Sequence, residues 1–181
     1  MCTEAPFTGT CSAVDSGNKK LGVKCPCATS NNFECVVCGA GKYNSNAAAY
    51  NDACKVCGVG KFNNLEGQSD EAVACKDCGV GKFNDVEGQA NCKNCSAGKF
   101  NNLKSAGICK LCALGRYNDL KSADECKLCM PGQYSTKTKS LECSLCAPGK
   151  YSGLKGQTSE STCDECKVGM YNNEAGQGAC K

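Results

Sequence analysis

The sequence predicts a small, disulfide-rich protein of irregular β structure, built from tandem hairpin repeats of about 17 residues that stack into an elongated, solenoid-like rod. Three observations support this fold class. The chain has 21 cysteines in 181 residues, above the level typical of disulfide scaffolds. Cys-x-x-Cys pairs return at intervals of 17 to 21 residues from Cys35 onward. Leu, Ile, Val and Phe together supply only 26 residues, too few for a large hydrophobic core.

Each repeat approximates the motif C-x2-C-x2-G-[KR]-[YF]-[NS]-[ND]. The glycine holds one position in every copy, and we interpret it as a turn that needs a positive φ or a close backbone approach. The basic and aromatic residues predict a short strand, and the polar pair after them predicts a second turn. A third turn often follows, as at Glu87-Gly88-Gln89. Each repeat is therefore expected to be a small hairpin with almost no helix. The turn glycines are Gly41, Gly60, Gly81, Gly98, Gly115, Gly132, Gly149 and Gly169.

One aromatic residue recurs in each repeat, enough to cover a disulfide or a neighbouring backbone but too little to form a core. We expect these rings to pack between neighbouring repeats. The alternative is a ladder of rings that faces a ligand, such as the apolar face of a sugar. The rings are Tyr43, Phe62, Phe83, Phe100, Tyr117, Tyr134, Tyr151 and Tyr171.

The spacing of the cysteines favours one scheme of disulfide pairing. A bond within one Cys-x-x-Cys would close a tiny, strained ring and leave the hairpins untied. Joining each second cysteine to the first cysteine of the next pair closes every hairpin, and loops of about 15 residues make each bond worth about 3 kcal/mol in the loop-entropy model. Sequence alone leaves this connectivity unproven. The expected bonds are Cys38–Cys54, Cys57–Cys75, Cys78–Cys92, Cys95–Cys109, Cys112–Cys126, Cys129–Cys143, Cys146–Cys163 and Cys166–Cys180.

Residues 1–34 break the rhythm and are expected to form an atypical cysteine-rich cap. The spacing Cys25-Pro26-Cys27 followed by Cys35 resembles the end of an EGF-like module, and this resemblance implies a Cys27–Cys35 disulfide. One further pair is expected among Cys2, Cys11 and Cys25. The odd cysteine total leaves one over, for an intermolecular bond or an upstream partner.

Over residues 35–181, the tandem C-x2-C hairpin repeats, the motif resembles the cysteine-rich repeats of the ephrin-receptor-like class, which are similar to EGF-like and tumour-necrosis-factor-receptor modules. The resemblance implies a secreted or cell-surface rod of disulfide-tied hairpins. It supplies no catalytic residues.

The same cysteine spacing also fits four-thiolate zinc sites. Such a site would use two Cys-x-x-Cys pairs, so the array should alternate between two loop types, and it does not. We therefore expect no metal, and a multi-zinc array is the second alternative. A redox role is not favoured, because nothing distinguishes one Cys-x-x-Cys from the others.

The composition also excludes several classes of function. Histidine is absent, which removes Ser-His-Asp and Cys-His catalysis, so we expect neither an enzyme nor a cofactor. A net charge of +3 is too small to predict nucleic-acid binding. No apolar run has the length of a membrane span.

Basic residues form two recurring series, one before the aromatic residue and one after the first cysteine. In a regular array these series become two basic rows, which would suit an anionic polysaccharide or an acidic partner chain. The alternative, which we favour, is simple solvation, with Glu66, Glu87, Asp85 and Asp119 interspersed. One N-glycosylation sequence, Asn94-Cys95-Ser96, makes Asn94 a candidate glycan site.

Uniform repeats favour a non-enzymatic extracellular structural protein that forms or decorates a cell-surface fibre, appendage or coat. Its expected partners are itself, by head-to-tail or lateral assembly, or other extracellular matrix or appendage proteins, with glycans as further candidates. Two copies placed end to end would read Cys180-Lys181-Met1-Cys2 and restore a Cys-x-x-Cys pair. The chain is expected to be a mature or excerpted segment, since Met1–Glu4 does not open a signal peptide. The first alternative is the stalk or ligand-binding ectodomain of a surface receptor.

Overall fold

The computed structural model describes residues 38–44 and 54–181, together with the backbone of one short strand pair near the start of the chain. Apart from that strand pair, the predicted cap at 1–34 lies outside the described residues. The same is true of the predicted Cys27–Cys35 disulfide and of the pair expected among Cys2, Cys11 and Cys25.

Two-residue strands pair as antiparallel hairpins, and from Lys42 to Glu165 one hairpin forms per repeat. From β3 onward, the first strand of each hairpin is the aromatic residue of the motif with the residue before it, which is basic except at Gln133. The second strand is the two residues that follow the first cysteine of the next pair. The sequence predicted the first of these two strands. The pairs are β1 (Ala13–Val14) with β2 (Lys20–Leu21), β3 (Lys42–Tyr43) with β4 (Lys55–Val56), β5 (Lys61–Phe62) with β6 (Lys76–Asp77), β7 (Lys82–Phe83) with β8 (Lys93–Asn94), β9 (Lys99–Phe100) with β10 (Lys110–Leu111), β11 (Arg116–Tyr117) with β12 (Lys127–Leu128), β13 (Gln133–Tyr134) with β14 (Ser144–Leu145), and β15 (Lys150–Tyr151) with β16 (Asp164–Glu165).

Helix is confined to two longer loops of the described chain. The four-residue helix α1 (Glu71–Ala74) begins after Asp70, whose side chain accepts a hydrogen bond from the amide of Ala72. A single 3-10 turn, Glu160–Thr162, begins in the same way after Ser159. Both helices lie in loops whose disulfides span more residues than the usual 14, namely 18 and 17. The extra residues are therefore folded into one additional turn each.

The chain divides into two compact units. The first comprises Met1–Cys78 and Asn84–Cys92, and the second comprises Gly79–Phe83 and Lys93–Lys181. The first unit contains the hairpins β1–β2, β3–β4 and β5–β6, and the second contains the five hairpins from β7–β8 to β15–β16. This division falls within the repeat array.

The buried interior of the described residues consists mainly of half-cystines. Eleven of the thirteen buried apolar residues are cysteines, and the other two are Tyr43 and Ala74. The composition predicted that covalent bonds would replace a hydrophobic core, and burial is distributed in that way. The remaining buried side chains are polar and come from one position of the repeat.

The turn glycines have the conformation that the sequence predicted. All eight have positive φ, between 70° and 86°. Residues with a Cβ rarely adopt positive φ, because the Cβ crowds the backbone. Glycine has no Cβ and is free of that cost. The disulfide-rich, hairpin-based fold class with repeats of about 17 residues is thus confirmed.

Candidate functional site: the repeated junction between hairpins

Eight disulfides tie the described hairpins, with Cα–Cα distances of 5.3 to 5.8 Å. Each joins a second cysteine to the first cysteine of the following pair. The bonded pairs are Cys38–Cys54, Cys57–Cys75, Cys78–Cys92, Cys95–Cys109, Cys112–Cys126, Cys129–Cys143, Cys146–Cys163 and Cys166–Cys180. They are the same eight pairs that hairpin closure requires.

Consecutive repeats are joined by a recurring backbone hydrogen bond, which we call the ladder. The turn glycine of one repeat donates its N–H to the carbonyl oxygen of the residue that follows the aromatic ring in the next repeat, over 2.7 to 2.9 Å. We call the accepting residues the ladder residues. They are Asn63, Asn84, Asn101, Asn118, Ser135, Ser152 and Asn172, and all seven are buried.

The side chains of the ladder asparagines hold the preceding repeat. Asn101 is 1% exposed, and its Nδ2 donates to the carbonyl oxygen of Lys82 over 2.6 Å and to that of Leu103 over 2.9 Å. Its Oδ1 accepts from the amide of Leu103 over 3.1 Å. A buried amide with these bonds satisfies backbone groups of two repeats at once. The same bond to the preceding repeat is made by Asn63, Asn84, Asn118 and Asn172.

Sequence reasoning assigned these asparagines to a turn and missed their burial. The turn does form, because Oδ1 of most ladder asparagines accepts from the amide two residues later. The recurrence of asparagine at one position was the available signal, since a turn alone accepts several residue types. Asn84 differs, because its buried Oδ1 has no hydrogen-bond partner among the described residues.

At the ladder position Ser135, the serine side chain bonds locally instead. The Oγ of Ser135 lies 2.7 Å from the Oγ of Ser140 and 3.2 Å from the carbonyl oxygen of Lys137, within its own loop. The backbone bond of the ladder is nevertheless present at Ser135, because its carbonyl oxygen accepts from the N–H of Gly115 over 2.9 Å.

A second contact, which we call a seam, places a turn glycine against the backbone of one residue that lies two repeats later in the chain. A Cβ placed on Gly115 would collide with the carbonyl oxygen of Gly156, so no other residue fits there without a shift of the backbone. In each seam, the residue that the turn glycine contacts also has positive φ. The seams pair Gly41 with Gly88, Gly81 with Ser122, Gly98 with Lys139, Gly115 with Gly156, and Gly132 with Gly176.

The aromatic rings lie opposite the residue that follows the first cysteine, which in several hairpins is lysine. Nζ of Lys127 lies 5.6 Å from the centre of the Tyr117 ring, and Lys93 and Lys110 lie 6.0 Å from the rings of Phe83 and Phe100. These are cation–π distances. One of the two predicted basic rows is therefore partly engaged with the protein's own rings.

The Tyr117 hairpin also carries an ion pair. Nζ of Lys127 lies 2.8 Å from Oδ1 of Asp119, and both side chains are about half exposed. The hydrogen bond from Lys127 is the main cause that lowers the pKa of Asp119, and the same bond raises the pKa of Lys127. In the preceding hairpin, Lys110 instead contacts the neutral amide of Asn102 over 3.2 Å.

In the first unit, a ring covers a disulfide as expected. Tyr43 clusters with Cys57, Cys75 and Ala74 of α1. Its hydroxyl donates to Oε2 of Glu71 over 2.7 Å, and this bond raises the pKa of Tyr43 above its ordinary value. The inserted helix is thereby fixed to the hairpin β3–β4. By contrast, Tyr171 near the end of the second unit is 62% exposed.

The candidate glycan site Asn94 lies in β8 with its side chain exposed, and the next residue, Cys95, is a fully buried half-cystine. Glycosylation of Asn94 stays a prediction.

The zinc alternative lacks ligands in the described chain. The sixteen cysteines of the eight disulfides are bonded to one another, so none offers a free thiolate. Within residues 38–44 and 54–181 no group of three or more Cys, Asp or Glu side chains is placed to hold an ion. Within the same ranges no helix combines the length and apolar character of a membrane span.

The fold and its junctions define a disulfide-rich protein of tandem hairpin repeats, and eight disulfides point to an oxidising, extracellular environment. No protein-family model matches the chain, and a search of curated proteins found no match.

Proposed function

We propose that this protein is a non-enzymatic structural component of the cell surface, which forms or decorates an extracellular fibre, appendage or coat. The observation that carries the proposal is the uniform ladder. The same glycine-to-ladder bond recurs from Gly41 to Asn172 with lengths that vary by only 0.2 Å. A series of near-identical junctions extends a surface, whereas an enzyme needs one distinct constellation of residues.

The proposed assembly partner is a further repeat of the same kind, from a second copy of this chain or from another matrix or appendage protein. The junction supports this, because its bonds use backbone groups, one glycine and one asparagine. Any chain that carries the motif offers the same groups. Head-to-tail and lateral contacts between copies both fit this chemistry.

We further propose that the repeats belong to the ephrin-receptor-like class. The support is that the residues of the shared motif are those with structural roles here. The two cysteines form disulfides, the glycine makes the seam, the ring lies in the hairpin, and the asparagine makes the ladder.

The proposal is tested by electron microscopy of the native oxidised protein, with sedimentation over a range of concentrations and electrophoresis without reductant. Filaments, sheets or multimers that grow with concentration are expected. A strict monomer at every concentration, with no filaments, would contradict the fibre proposal. Intact mass before and after reduction serves as the control for oxidation, and the eight disulfides of the described residues require a deficit of at least sixteen hydrogens.

A receptor stalk or ligand-binding ectodomain is the second candidate, and the two divergent loops favour it. The helix α1 and the 3-10 turn Glu160–Thr162 interrupt an otherwise uniform array and give the surface two distinctive places. The complete open reading frame distinguishes the candidates. A membrane-spanning segment together with a separate binding domain supports the stalk, and a reading frame of repeats alone supports the structural role.

A further inference from the structure

Basic residues are concentrated in the middle of the repeat array. Residues 93–139 contain nine lysines and arginines and three acidic residues, a net charge of 9 − 3 = +6. The whole chain carries +3, so the remaining residues sum to −3. All of this basic segment belongs to the second unit. The modest overall charge therefore conceals a strongly basic region.

The seams bring basic residues from two repeats together in this region. Gly81 meets Ser122, and their chain neighbours are Lys82 and Lys121. Since consecutive Cα atoms are about 3.8 Å apart, the two lysine Cα atoms lie within about 14 Å of each other. The side chains can therefore contact the same ligand.

The next two seams repeat this arrangement. Gly98 lies against Lys139 itself, and a Cβ on Gly98 would lie 2.7 Å from Cγ of that lysine. The chain neighbour of Gly98 is Lys99, so this seam also holds two basic residues. Gly115 meets Gly156, with Arg116 on one side and Lys155 on the other. Three successive seams thus each hold two basic residues, and no acidic residue adjoins a seam residue in the chain at these three seams.

The seam of the first unit shows that this is not a requirement of the fold. Gly41 meets Gly88 with the same geometry, and the flanking residues there are Lys42 and Glu87. The same backbone contact is therefore built with opposite charges in the first unit, with like charges at three seams of the second unit, and with uncharged flanking residues at its Gly132–Gly176 seam. Like charges held close together repel one another, and a bound polyanion removes that repulsion.

We propose that the six basic residues of the three seams, the basic strip, bind a linear acidic polysaccharide through its sulfate or carboxylate groups. The strip consists of Lys82, Lys99, Arg116, Lys121, Lys139 and Lys155. Pairs of basic residues that recur from repeat to repeat match anionic groups that recur along a polymer. The oxidising environment selects polysaccharide as the polyanion. Single-stranded nucleic acid is disfavoured because bases need open rings to stack on, and lysines lie over Phe83, Phe100 and Tyr117.

The test measures binding of the oxidised full chain to immobilised heparin and to polygalacturonate across a series of salt concentrations. The two polymers separate recognition of sulfate from recognition of carboxylate. The main variant is K82Q/K99Q/K121Q/K155Q, which spares Arg116, bonded to the carbonyl oxygen of Cys126, and Lys139, packed on Gly98. We expect at least tenfold weaker binding to one or both polymers and a shallower dependence on salt.

The matched control removes the same charge from the first unit. K42Q/K55Q/K61Q/K76Q neutralises four lysines of earlier repeats, and we expect binding to change less than twofold. Lys42 and Lys61 hold the positions of Lys82 and Lys99, whereas Lys55 and Lys76 follow a first cysteine and lie outside the strip positions. The quadruple Lys-to-Arg variant at the four strip positions should keep native affinity. Its binding separates the loss of charge from any disturbance of the fold.

Three results would overturn the basic strip: no binding of the native chain to either polymer, equal losses in the strip and control variants, or tighter binding to phosphatidylserine vesicles than to both polymers. The last result would assign the surface to a membrane. Each of these outcomes is independent of whether the protein forms filaments, so the strip and the structural role fail separately.

Discussion

The buried side chain of Asn101 donates a hydrogen bond of 2.6 Å to the carbonyl oxygen of Lys82, which lies 19 residues earlier, in the preceding repeat. The amide thus does for two repeats what a hydrophobic side chain does in an ordinary core. It excludes water from the junction while satisfying polar backbone groups on both sides. Together with the disulfides, the ladder explains how an array with so few large apolar residues keeps a defined structure.

Substitution of this asparagine tests the ladder directly. Asn101→Ala removes the bond from the buried Asn101 side chain to the carbonyl oxygen of Lys82, which should lower the free energy of unfolding by about 1–3 kcal/mol. Asn102→Ala is the matched control, because Asn102 is exposed and its Oδ1 accepts an exposed bond from Nζ of Lys110. We expect a change of about 0.5 kcal/mol or less. Thermal unfolding measures both, and equal effects would show that the ladder contributes nothing particular.

The seams predict a difference between two glycines with the same conformation. Gly115 and Gly149 have φ of 70° and 82°, but a Cβ on Gly115 meets the backbone of Gly156, whereas nothing lies within 4 Å of a Cβ on Gly149. Gly149→Ala should cost about 1–2 kcal/mol, the conformational penalty alone. Gly115→Ala should cost a further 1–3 kcal/mol, roughly, through overpacking.

Thermal midpoints of the two glycine variants provide the measurement, since each 1 kcal/mol corresponds to about 2–4 °C in a chain of this size. If the two alanine variants unfold at the same temperature, the seam is not a tight contact.

Three residues other than glycine carry positive φ in the part of the chain that the structure describes, and one of them offers a stabilising change. Ser122 has φ 59° at a position where glycine stands in other repeats. Ser122→Gly should stabilise the protein by about 0.5–1 kcal/mol, because the strain of the left-handed region is relieved. The reverse change, Gly156→Ser, should destabilise it, and its Cβ would lie 2.9 Å from Cδ2 of Leu128. Calorimetry of both variants tests the sign, and a destabilised Ser122→Gly would contradict this account.

The pair Asp119–Lys127 makes a prediction about pH. Because Lys127 lowers the pKa of Asp119 in the folded protein, the pair's contribution to stability is present above the ordinary Asp pKa of 3.8. It is lost as the pH falls through the lowered folded pKa. NMR titration should show Asp119 titrating below the ordinary value, and Lys127→Gln should move its pKa upward. An unchanged pKa in that variant would show that another group holds Asp119 ionised.

Much of the local structure could be predicted from the sequence. Gly98 has a positive φ, Lys99–Phe100 forms a strand, and a turn follows at Asn101, all as the motif indicated. These features depend on residues close in the chain, so repetition of the motif was sufficient to predict them. The same motif did not predict that Asn101 is buried and bonds the preceding repeat. In sequence, an asparagine that caps an exposed turn looks the same as one that holds a neighbouring repeat.

The seams were also beyond prediction. Gly98 meets Lys139, which lies two repeats further along, and nothing in either residue type indicates this contact. The cation–π pair of Lys127 with Tyr117 was missed for a related reason. Its register depends on which residues face each other across the hairpin, and the predicted strands did not include the partner strand.

The sequence by itself determined the repeat, its length, the hairpin within it and the residues that must turn, because these follow from backbone preferences over a few neighbouring positions. Only the tertiary structure decided which repeats touch. The path of the chain after each turn brings Asn101 to Lys82 and Gly98 to Lys139, and it places Lys82 and Lys121 next to the two residues of one seam. Such contacts depend on the direction in which successive hairpins leave one another, which no short stretch of sequence encodes.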